Sequence, residues 1–365
     1  MSNMIQNQYT PDYVSPPGET LLELIEELGM TQAELARRMG RPKKTVNEII
    51  QGKTAITPKT ALQFERVLGT PASFWNTREQ QYRQHRAQVE EKKRLSKQVD
   101  WLQKFPVKAM CEKGWIRAFD DATQQLYELL NFFGVASPKQ WDDYWGQSSV
   151  VFRKTPAFQS DREALSAWLR RGEIEAQDIY CQPYATKTFR QTLTDQIRPL
   201  TLTPPEVFQP ELIRLCARAG VAVVFVPQLP KARVSGATRW LTRKKALIQL
   251  SLRYKTDDHL WFTFFHEAGH ILLHGKRDVF IGNKAVSDVK EREANDFAAD
   301  TLIPPARLRG FLKKSKSVYR SKAGIRAFAA EIGIAPGIVV GRLQNDGHLL
   351  RANCNGLKQR LGWAD

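Results

Sequence analysis

The sequence predicts a multidomain protein with an all-α N-terminal domain, a helical middle region and an α+β C-terminal domain. Apolar residues recur at helical spacing between glycines from residue 19 to 68, and residues 101–201 combine helical periodicity with many Trp and Phe. β-rich segments appear only after Pro210. The predicted segments are a disordered lead-in (1–17), a compact helical domain (18–85), a helical linker and middle region (86–205), an α+β domain (206–350) and a tail (351–365).

The composition indicates a globular protein with a polyanionic partner. Among 365 residues, 55 Lys and Arg stand against 38 Asp and Glu, which gives a net charge of +17 and favours nucleic acid. A basic surface that only maintains solubility is the alternative. The four cysteines show no paired spacing, Met1–Gly18 lacks the apolar run of a signal peptide, and Ala219–Val226 is too short to span a bilayer. We expect a cytoplasmic protein with no membrane partner.

The helical domain at residues 18–85 has the pattern of a DNA-reading helix-turn-helix. Gln32–Met39 is the predicted bracing helix, Gly40 the turn and Pro42–Gln51 the recognition helix. Lys suits guanine or phosphate and Asn suits adenine, so the exposed polar positions can read the major groove. The alternative is a helical bundle with a solvated polar face. The predicted DNA-binding residues are Lys43, Lys44, Thr45 and Asn47 on the recognition helix and Gln32, a phosphate anchor, on the bracing helix.

Several short motifs of this domain resemble the XRE (Cro/C1-type) family, and within it the HigA-type antitoxins. They are Gly29-Met30-Thr31-Gln32-Ala33-Glu34-Leu35-Ala36, Asn47-Glu48-Ile49-Ile50-Gln51-Gly52-Lys53 and the trailing Phe74-Trp75. The resemblance covers residues 16–86. It implies a homodimer that binds double-stranded DNA at a palindromic operator, often that of its own promoter.

The region after this domain carries no recognisable chemistry. A long charged helix near Gln80–Gln98 is predicted to connect the domains, and the aromatic residues that follow it are expected in the core. Beyond Pro210, the predicted elements are a helix (211–219), three strands (221–226, 234–241 and 246–253), helices at 257–274 and 290–302, and two closing helices with a second helix-turn-helix-like pattern. This last pattern is expected to pack on the core, with a second DNA-binding role as the alternative.

The helix at 257–274 contains a His-Glu-x-x-His motif. His266 and His270 project from one face, one turn apart, so both imidazoles can reach one metal ion. Glu267 is positioned to act as general base toward a metal-bound water. Gly269 is expected to leave space beside the metal. His274 lies ~12 Å along the axis from His266 at ~1.5 Å per residue, too far for one zinc, and is assigned to packing or to support of a ligand.

The C-terminal domain resembles the ImmA/IrrE metallopeptidase family through three motifs. They are Phe262-Thr263-Phe264-Phe265-His266-Glu267-Ala268-Gly269-His270, Glu293-Ala294-Asn295 with Phe297-Ala298-Ala299, and Leu302-Ile303-Pro304. The resemblance implies a zincin-like fold and a Zn²⁺ site formed by His266, His270 and Glu293. Glu291 is the alternative third ligand, because the register of the helix is inferred.

Two functional hypotheses follow. The first is an autoregulatory, sequence-specific DNA-binding regulator with a zinc-dependent endopeptidase domain that cleaves an XRE-type repressor or its own linker near Arg86–Trp101. A substrate strand would then pair with an exposed sheet edge near Ser235–Leu241. The second is an antitoxin or repressor, with a cognate toxin as partner, whose zinc domain is inactive and serves sensing or protein interaction.

Overall fold

The computed structural model describes residues 14–153, 161–274, 280–282 and 289–363. Its contacts divide the chain into two compact units, residues 1–99 and 100–365. The predicted multidomain class, with a helical N-terminal part and an α+β C-terminal part, is confirmed. The middle helical region packs with the C-terminal sheet in the second unit.

The described residues of the N-terminal unit form five helices. Thr31 caps the second of them by accepting a hydrogen bond from the Glu34 N–H. Gly40 then adopts φ +65°, which ends that helix and starts the turn before the next. The helices are α1 (Pro17–Glu27), α2 (Gln32–Met39), α3 (Lys43–Ile50), α4 (Pro58–Leu68) and α5 (Ala72–Ser96).

Apolar side chains of all five helices form one core. Val46 and Ile49 of α3 are buried in it, and Phe64 of α4 packs 5.0 Å from the Trp75 ring of α5. After Trp75 and Glu79, α5 becomes mostly charged and exposed. This helix begins eight residues before the predicted start, because its first turns belong to the core.

The second unit contains twelve further α-helices and four strands among the described residues. The helices are α6 (Val107–Glu112), α7 (Ala122–Phe133), α8 (Pro138–Arg153), α9 (Arg162–Gln177), α10 (Thr186–Thr192), α11 (Pro205–Arg218), α12 (Asp257–Leu273), α13 (Val289–Leu302), α14 (Pro305–Leu312), α15 (Lys316–Tyr319), α16 (Lys322–Ile332) and α17 (Pro336–Asn345). The strands are β1 (Val221–Phe225), β2 (Gly236–Thr242), β3 (Lys245–Leu250) and β4 (Phe280–Gly282).

The strands form one mixed sheet in the order β1-β3-β2-β4. β1 and β3 are parallel, whereas β2 runs antiparallel to both β3 and β4. The expectation of a free edge at Ser235–Leu241 is wrong for its first part, because Gly236–Thr238 pair with β4. Only three residues long, β4 shows no periodicity from which it could have been predicted.

The middle region is attached to the sheet by α9. The Trp168 indole donates a hydrogen bond to the Val226 carbonyl at 3.0 Å, and the Gln249 amide of β3 donates to the Trp168 carbonyl at 2.6 Å. The aromatic residues predicted as core are all buried, which explains why they carry no chemistry. They are Trp101, Trp115, Phe132, Phe133, Trp141, Trp145 and Trp168.

The closing helices α16 and α17 belong to the same core as the sheet. Phe328 of α16 and Val339 and Leu343 of α17 are buried there, and α17 packs against α12. The second helix-turn-helix-like pattern therefore packs on the core, as expected. No single described helix is long and apolar enough to cross a membrane, although the bent pair α16–α17 would suffice in length and composition alone.

Candidate functional site

The His-Glu-x-x-His motif lies in the second half of α12, between the sheet and α13. Thr256 is the N-cap of α12. The apolar residues Trp261, Phe264 and Phe265 of this helix are buried in the core. His266 and His270 are 6% and 1% exposed, so both imidazoles are held in place by the surrounding packing. Their Nε2 atoms lie 3.0 Å apart.

Glu291 on α13 provides the carboxylate that faces these two histidines. Its Oε2 lies 3.3 Å from the Nε2 of His266, and its Oε1 lies 3.3 Å from the Nε2 of His270. The expected third ligand, Glu293, points elsewhere: its side chain is 53% exposed and contacts His274. The geometry thus brings together His266, His270 and the alternative glutamate, Glu291.

Each histidine of this cluster contacts a supporting residue through its other ring nitrogen. The Nδ1 of His266 lies 3.0 Å from the Asn295 Oδ1, which only accepts, so this Nδ1 carries the proton. The Nδ1 of His270 lies 2.9 Å from the Nδ1 of His274, whose Nε2 is 3.0 Å from the Glu293 carboxylate. Because Glu293 accepts from His274, His274 accepts from His270. Both cluster histidines keep an Nε2 lone pair for a metal.

The electrostatics favour a negatively charged Glu291. Burial alone would raise its pKa, but the adjacent imidazoles of His266 and His270 lower the pKa to about 2. Burial lowers the pKa of His270 to about 4, and the neighbouring His266 and His274 add to this effect. Burial opposes protonation of His266 as well, but Glu291 and Glu267 leave its pKa raised.

Glu267 lies beside the cluster and is fully buried. Thr238 of β2 donates a hydrogen bond to the Glu267 backbone carbonyl at 3.1 Å, which ties the motif to the sheet. Gly236 at the start of β2 leaves room for the carboxyl side chain, since a Cβ there would lie 2.9 Å from the Glu267 Oε1. The strand therefore fixes the position of the predicted general base.

Gly269 has a different role from the expected one. A Cβ at this position would lie 3.2 Å from the Ala294 Cα and 3.1 Å from the Phe297 ring. The missing side chain lets α12 and α13 approach each other closely, and it does not open space beside a metal. This close approach carries the Glu291 carboxylate to the two imidazoles.

The donor set of the cluster suits zinc. Two imidazole nitrogens and one carboxylate oxygen lie within 4.8 Å of one another, the only group of this kind among the described residues. Two His and one Glu are a ligand set of catalytic zinc sites, which leave one position for water. The supporting contacts of Asn295 and His274 are also typical of such sites.

The predicted DNA-reading residues lie around the first turns of α3. Lys43 and Lys44 are exposed, and Lys44 is 3.9 Å from Glu48 in a weak, solvated ion pair. Asn47 is half-buried and accepts a 3.3 Å hydrogen bond from Gln51. Thr45 and Gln32 are half-buried at the starts of α3 and α2.

The buried positions of α13 indicate that Glu291 and Asn295 face α12, although the family resemblance indicated Glu293 as the ligand. Ala294, Ala298 and Leu302 are buried at helical spacing, and Glu291 and Asn295 flank this stripe. At 3.6 residues per turn, Glu293 falls to the side of it. The apolar stripe alone would have favoured Glu291.

Two family models match separate parts of the chain. Residues 21–75, from α1 into α5, match the family described as Helix-turn-helix. Residues 216–344, from α11 to α17, match the family described as IrrE N-terminal-like domain. The second range includes the whole His266–His270–Glu291 cluster.

Three individual relatives each match less than a quarter of this chain. The uncharacterized HTH-type transcriptional regulator YddM of Escherichia coli K12 is 32% identical over 59 residues, which are 16% of this chain and 63% of that protein. A putative antidote protein of a plasmid maintenance system from Nostoc punctiforme is 24% identical, with a TM-score of 0.22, and covers 23% of this chain and 91% of its own. An addiction module antidote protein of the HigA family from Coxiella burnetii is 30% identical, with a TM-score of 0.21. The match covers 23% of this chain and 92% of that chain.

Proposed function

We propose that this protein, which carries an XRE-type helix-turn-helix domain at residues 21–75 and an IrrE N-terminal-like domain at residues 216–344, is a DNA-binding regulator with zinc-dependent endopeptidase activity. The observation that supports the peptidase is the His266–His270–Glu291 cluster, in which both histidines are buried, with the buried Glu267 beside it. His266, His270 and Glu291 would hold the zinc. Bound there, zinc supplies Lewis acidity that activates water and polarises the peptide carbonyl.

The residues of the chain supply the proton transfers and the positioning. Glu267 accepts the proton of the attacking water and later delivers it to the leaving amine. Its burial keeps it close to the reaction, and Gly236 and Thr238 hold it in place. Asn295 and the His274–Glu293 pair fix the ring orientations of His266 and His270.

We infer that the substrate is a separate chain of the XRE repressor class. Peptidases of this kind bind an extended segment, whereas residues 86–96 of the chain's own linker are part of α5 and Trp101 is buried. Cleavage of the linker would first require part of α5 to unfold. Mixing the wild-type protein with a tagged Glu267→Gln chain tests this: the tagged chain should stay intact while an XRE-type repressor is cut.

The Glu267→Gln variant tests the peptidase itself. Loss of the base should reduce cleavage of an XRE-type repressor by about 10²-fold or more, while one zinc per chain is retained in elemental analysis. Glu206→Gln, an exposed change on α11, is the matched control and should cleave normally. Normal cleavage by Glu267→Gln would contradict the proposed role, and a zinc-free protein would contradict the site.

For the N-terminal domain, we propose that α3 reads the major groove of a palindromic operator, with two chains bound as a homodimer. Lys43, Lys44, Thr45 and Asn47 line its exposed start, and Gln32 at the start of α2 anchors to phosphate. The chain's own upstream region is the candidate operator.

Substitutions on α3 test this DNA-binding surface. Lys43→Ala with Lys44→Ala should weaken binding and reduce the slope of log K against log salt by about 2, because two phosphate contacts are lost. Asn47→Ala should weaken binding to the operator more than binding to unrelated DNA. Lys59→Ala, an exposed lysine on α4, is the control. Unchanged operator binding by all α3 variants would contradict this assignment.

A further inference from the structure

The segment from α14 to α16 carries a strong positive charge. Residues 305–326 contain eight Lys and Arg and no Asp or Glu, and the nearest acidic residues in the sequence are Asp300 and Glu331. The segment belongs to the second unit, outside the helix-turn-helix domain. All eight basic residues are exposed: Arg307, Arg309, Lys313, Lys314, Lys316, Arg320, Lys322 and Arg326.

The packing of these helices fixes which of the basic residues lie together. At the start of α14, Arg307 pairs with Glu331 at the end of α16 at 2.5 Å. One turn further along α14, the Phe311 ring stacks on the Phe328 ring of α16 at a centroid distance of 4.2 Å. The two helices are therefore antiparallel, and the end of α14 lies beside the start of α16.

α15 lies at the same end of this helix pair. An added Cβ at Gly324, in the first turn of α16, would collide with the Val318 carbonyl of α15, and the Ser321 hydroxyl donates to that carbonyl at 2.9 Å. The end of α14, all of α15 and the start of α16 thus converge. We call the exposed surface at this point the basic corner, and it consists of Lys313, Lys314, Lys316, Arg320 and Lys322.

The charges of the basic corner are not compensated within the fold. Among the described residues, none of the five forms an ion pair with a carboxylate. Lys316 and Arg320 are four positions apart on and just beyond α15, a spacing at which like charges repel. Lys322 lies in the first turn of α16, where the helix dipole disfavours a cation and where there is no acidic residue. A bound polyanion would relieve both penalties.

We propose that the basic corner binds the phosphate backbone of duplex DNA, as a second attachment separate from α3. Lys and Arg neutralise phosphates without reading base edges, so this contact adds affinity without sequence preference. The N-terminal domain of the same chain matches the helix-turn-helix family. DNA bound by that domain meets the basic corner at a high effective concentration. The proposal depends neither on peptidase activity nor on base reading by α3.

The other side chains of α14–α16 favour a duplex over a single strand or a membrane. Within residues 305–332, all of which the structure describes, Val318 is the only exposed large apolar residue. Single strands stack on exposed aromatic rings, and membrane helices insert an apolar face. α17 does not supply a reading helix to this surface, because its residues Ile338, Val339 and Val340 are buried in the core. Contact with phosphates is the mode that remains.

The salt dependence of binding tests the proposal on the full-length, zinc-loaded chain, with a DNA duplex of unrelated sequence as the probe. Combining Lys313→Ala, Lys314→Ala, Lys316→Ala and Lys322→Ala should reduce the slope of log K against log salt by about 3–4, at ~0.9 per phosphate contact, and weaken binding at low salt by at least about tenfold. The matched control removes four exposed lysines elsewhere in the same unit: Lys104, Lys108, Lys113 and Lys139. An unchanged slope in the corner variant, or an equal loss in the control, would overturn the proposal.

Two further measurements separate the possible causes of a loss. Arginine at the same four corner positions keeps the charge and should restore the slope to within about 1 of the wild type. A loss that arginine does not restore would argue against phosphate contact. The corner substitutions should weaken binding to a single strand of the same length less than binding to the duplex, and the reverse result would contradict the assignment to duplex DNA.

The corner variant should otherwise behave like the wild type. It should keep one zinc per chain and the same preference for the chain's own upstream region over unrelated DNA, because neither the metal cluster nor α3 is changed. A failure of this proposal is therefore distinguishable from a failure of the metal site or of the recognition helix. A changed sequence preference in the corner variant would show that the basic corner does more than bind phosphates, which contradicts the proposal.

Discussion

Glu291 and Glu293 stand two positions apart on α13 and face different partners. Glu291, with 18% of its side chain exposed, contacts both imidazole Nε2 atoms, whereas Glu293 contacts only His274. Two helical positions are about 200° apart around the axis, so one helix cannot turn both side chains toward one metal. The two residues would therefore lie at different distances from a zinc ion held by this cluster.

The two glutamates should differ in their effect on zinc affinity. Glu291→Gln removes a charged ligand and should weaken zinc binding by more than about 10²-fold. Glu293→Gln disturbs only the orientation of His270, through His274, and should weaken zinc binding by about tenfold. Competition titrations with a zinc chelator measure both constants. A larger loss in Glu293→Gln would restore Glu293 as the ligand.

Asp257, in the first turn of α12, should make stability depend on pH. Burial and the adjacent Asp258 raise its pKa to about 6 from 3.8, although its Oδ1 accepts from the Gln359 N–H. The folded state therefore holds this proton more tightly than the unfolded state. The corresponding stabilisation is present below about pH 4 and is lost as the pH rises through about 6.

The Asp257→Asn variant should remove the loss of stability that accompanies rising pH, because Asn does not titrate. Its side-chain oxygen still accepts the hydrogen bond from the Gln359 N–H. Relative to the wild type, the second unit should gain stability between pH 4 and 7, by up to about 3 kcal/mol at 1.36 kcal/mol per pKa unit. Thermal melts across this range, with the exposed Asp300→Asn as control, provide the measurement. A difference between Asp257→Asn and wild type that is constant with pH would contradict the shifted pKa.

At the scale of elements, the start of β2 controls the position of Glu267. A Cβ on Gly236 would come within 2.6 Å of the Thr263 Cγ2 and 2.9 Å of the Glu267 Oε1. Gly236→Ala should displace Glu267 and lower the cleavage rate by about tenfold or more, with zinc still bound because no ligand is touched.

The control for this substitution is another glycine with free space around it. At Gly310 in α14, an added Cβ meets nothing within 4 Å, and alanine there should gain up to about 1 kcal/mol from helix propensity. Cleavage rate and zinc content are measured for Gly236→Ala and for Gly310→Ala. Full activity in Gly236→Ala would show that β2 does not position Glu267.

The elements differ in how well the sequence predicts them. The turn predicted at Gly40 agrees with the structure, because a glycine turn depends on local chemistry. β4 depends on long-range pairing with β2 and leaves no local signal. The choice between Glu291 and Glu293 required the register of α13 against α12, which is fixed by packing at Gly269 and Ala294.

At the scale of the whole molecule, the two units have separate cores. Leu35, Val46 and Phe64 belong to one core, whereas the metal cluster lies on α12 and α13, whose apolar residues belong to the other. Most of the excess of Lys and Arg over Asp and Glu lies in residues 100–365. The basic charge that indicated nucleic acid is thus not confined to the helix-turn-helix domain.

Zinc should stabilise only one of the two units. In calorimetry of the full chain, zinc should raise the melting temperature of the second unit, because only the folded cluster binds it, and leave the first unit unchanged. Phe64→Ala leaves a cavity in the core of the first unit, so it should lower the melting temperature of that unit alone. This change identifies which melting transition belongs to the first unit. A zinc-induced shift of the Phe64-sensitive transition would contradict this separation.

The burial of α17 against the start of α12 also limits how the chain can be shortened. Val339, Val340 and Leu343 are fully buried, and α12 carries their contacts at one end and His270 near the other. A fragment that stops after α13 would retain every residue of the metal cluster but expose the apolar surface that α17 covers. The His-Glu-x-x-His motif is therefore expected to keep its structure in a fragment only when the last helices of the domain are included.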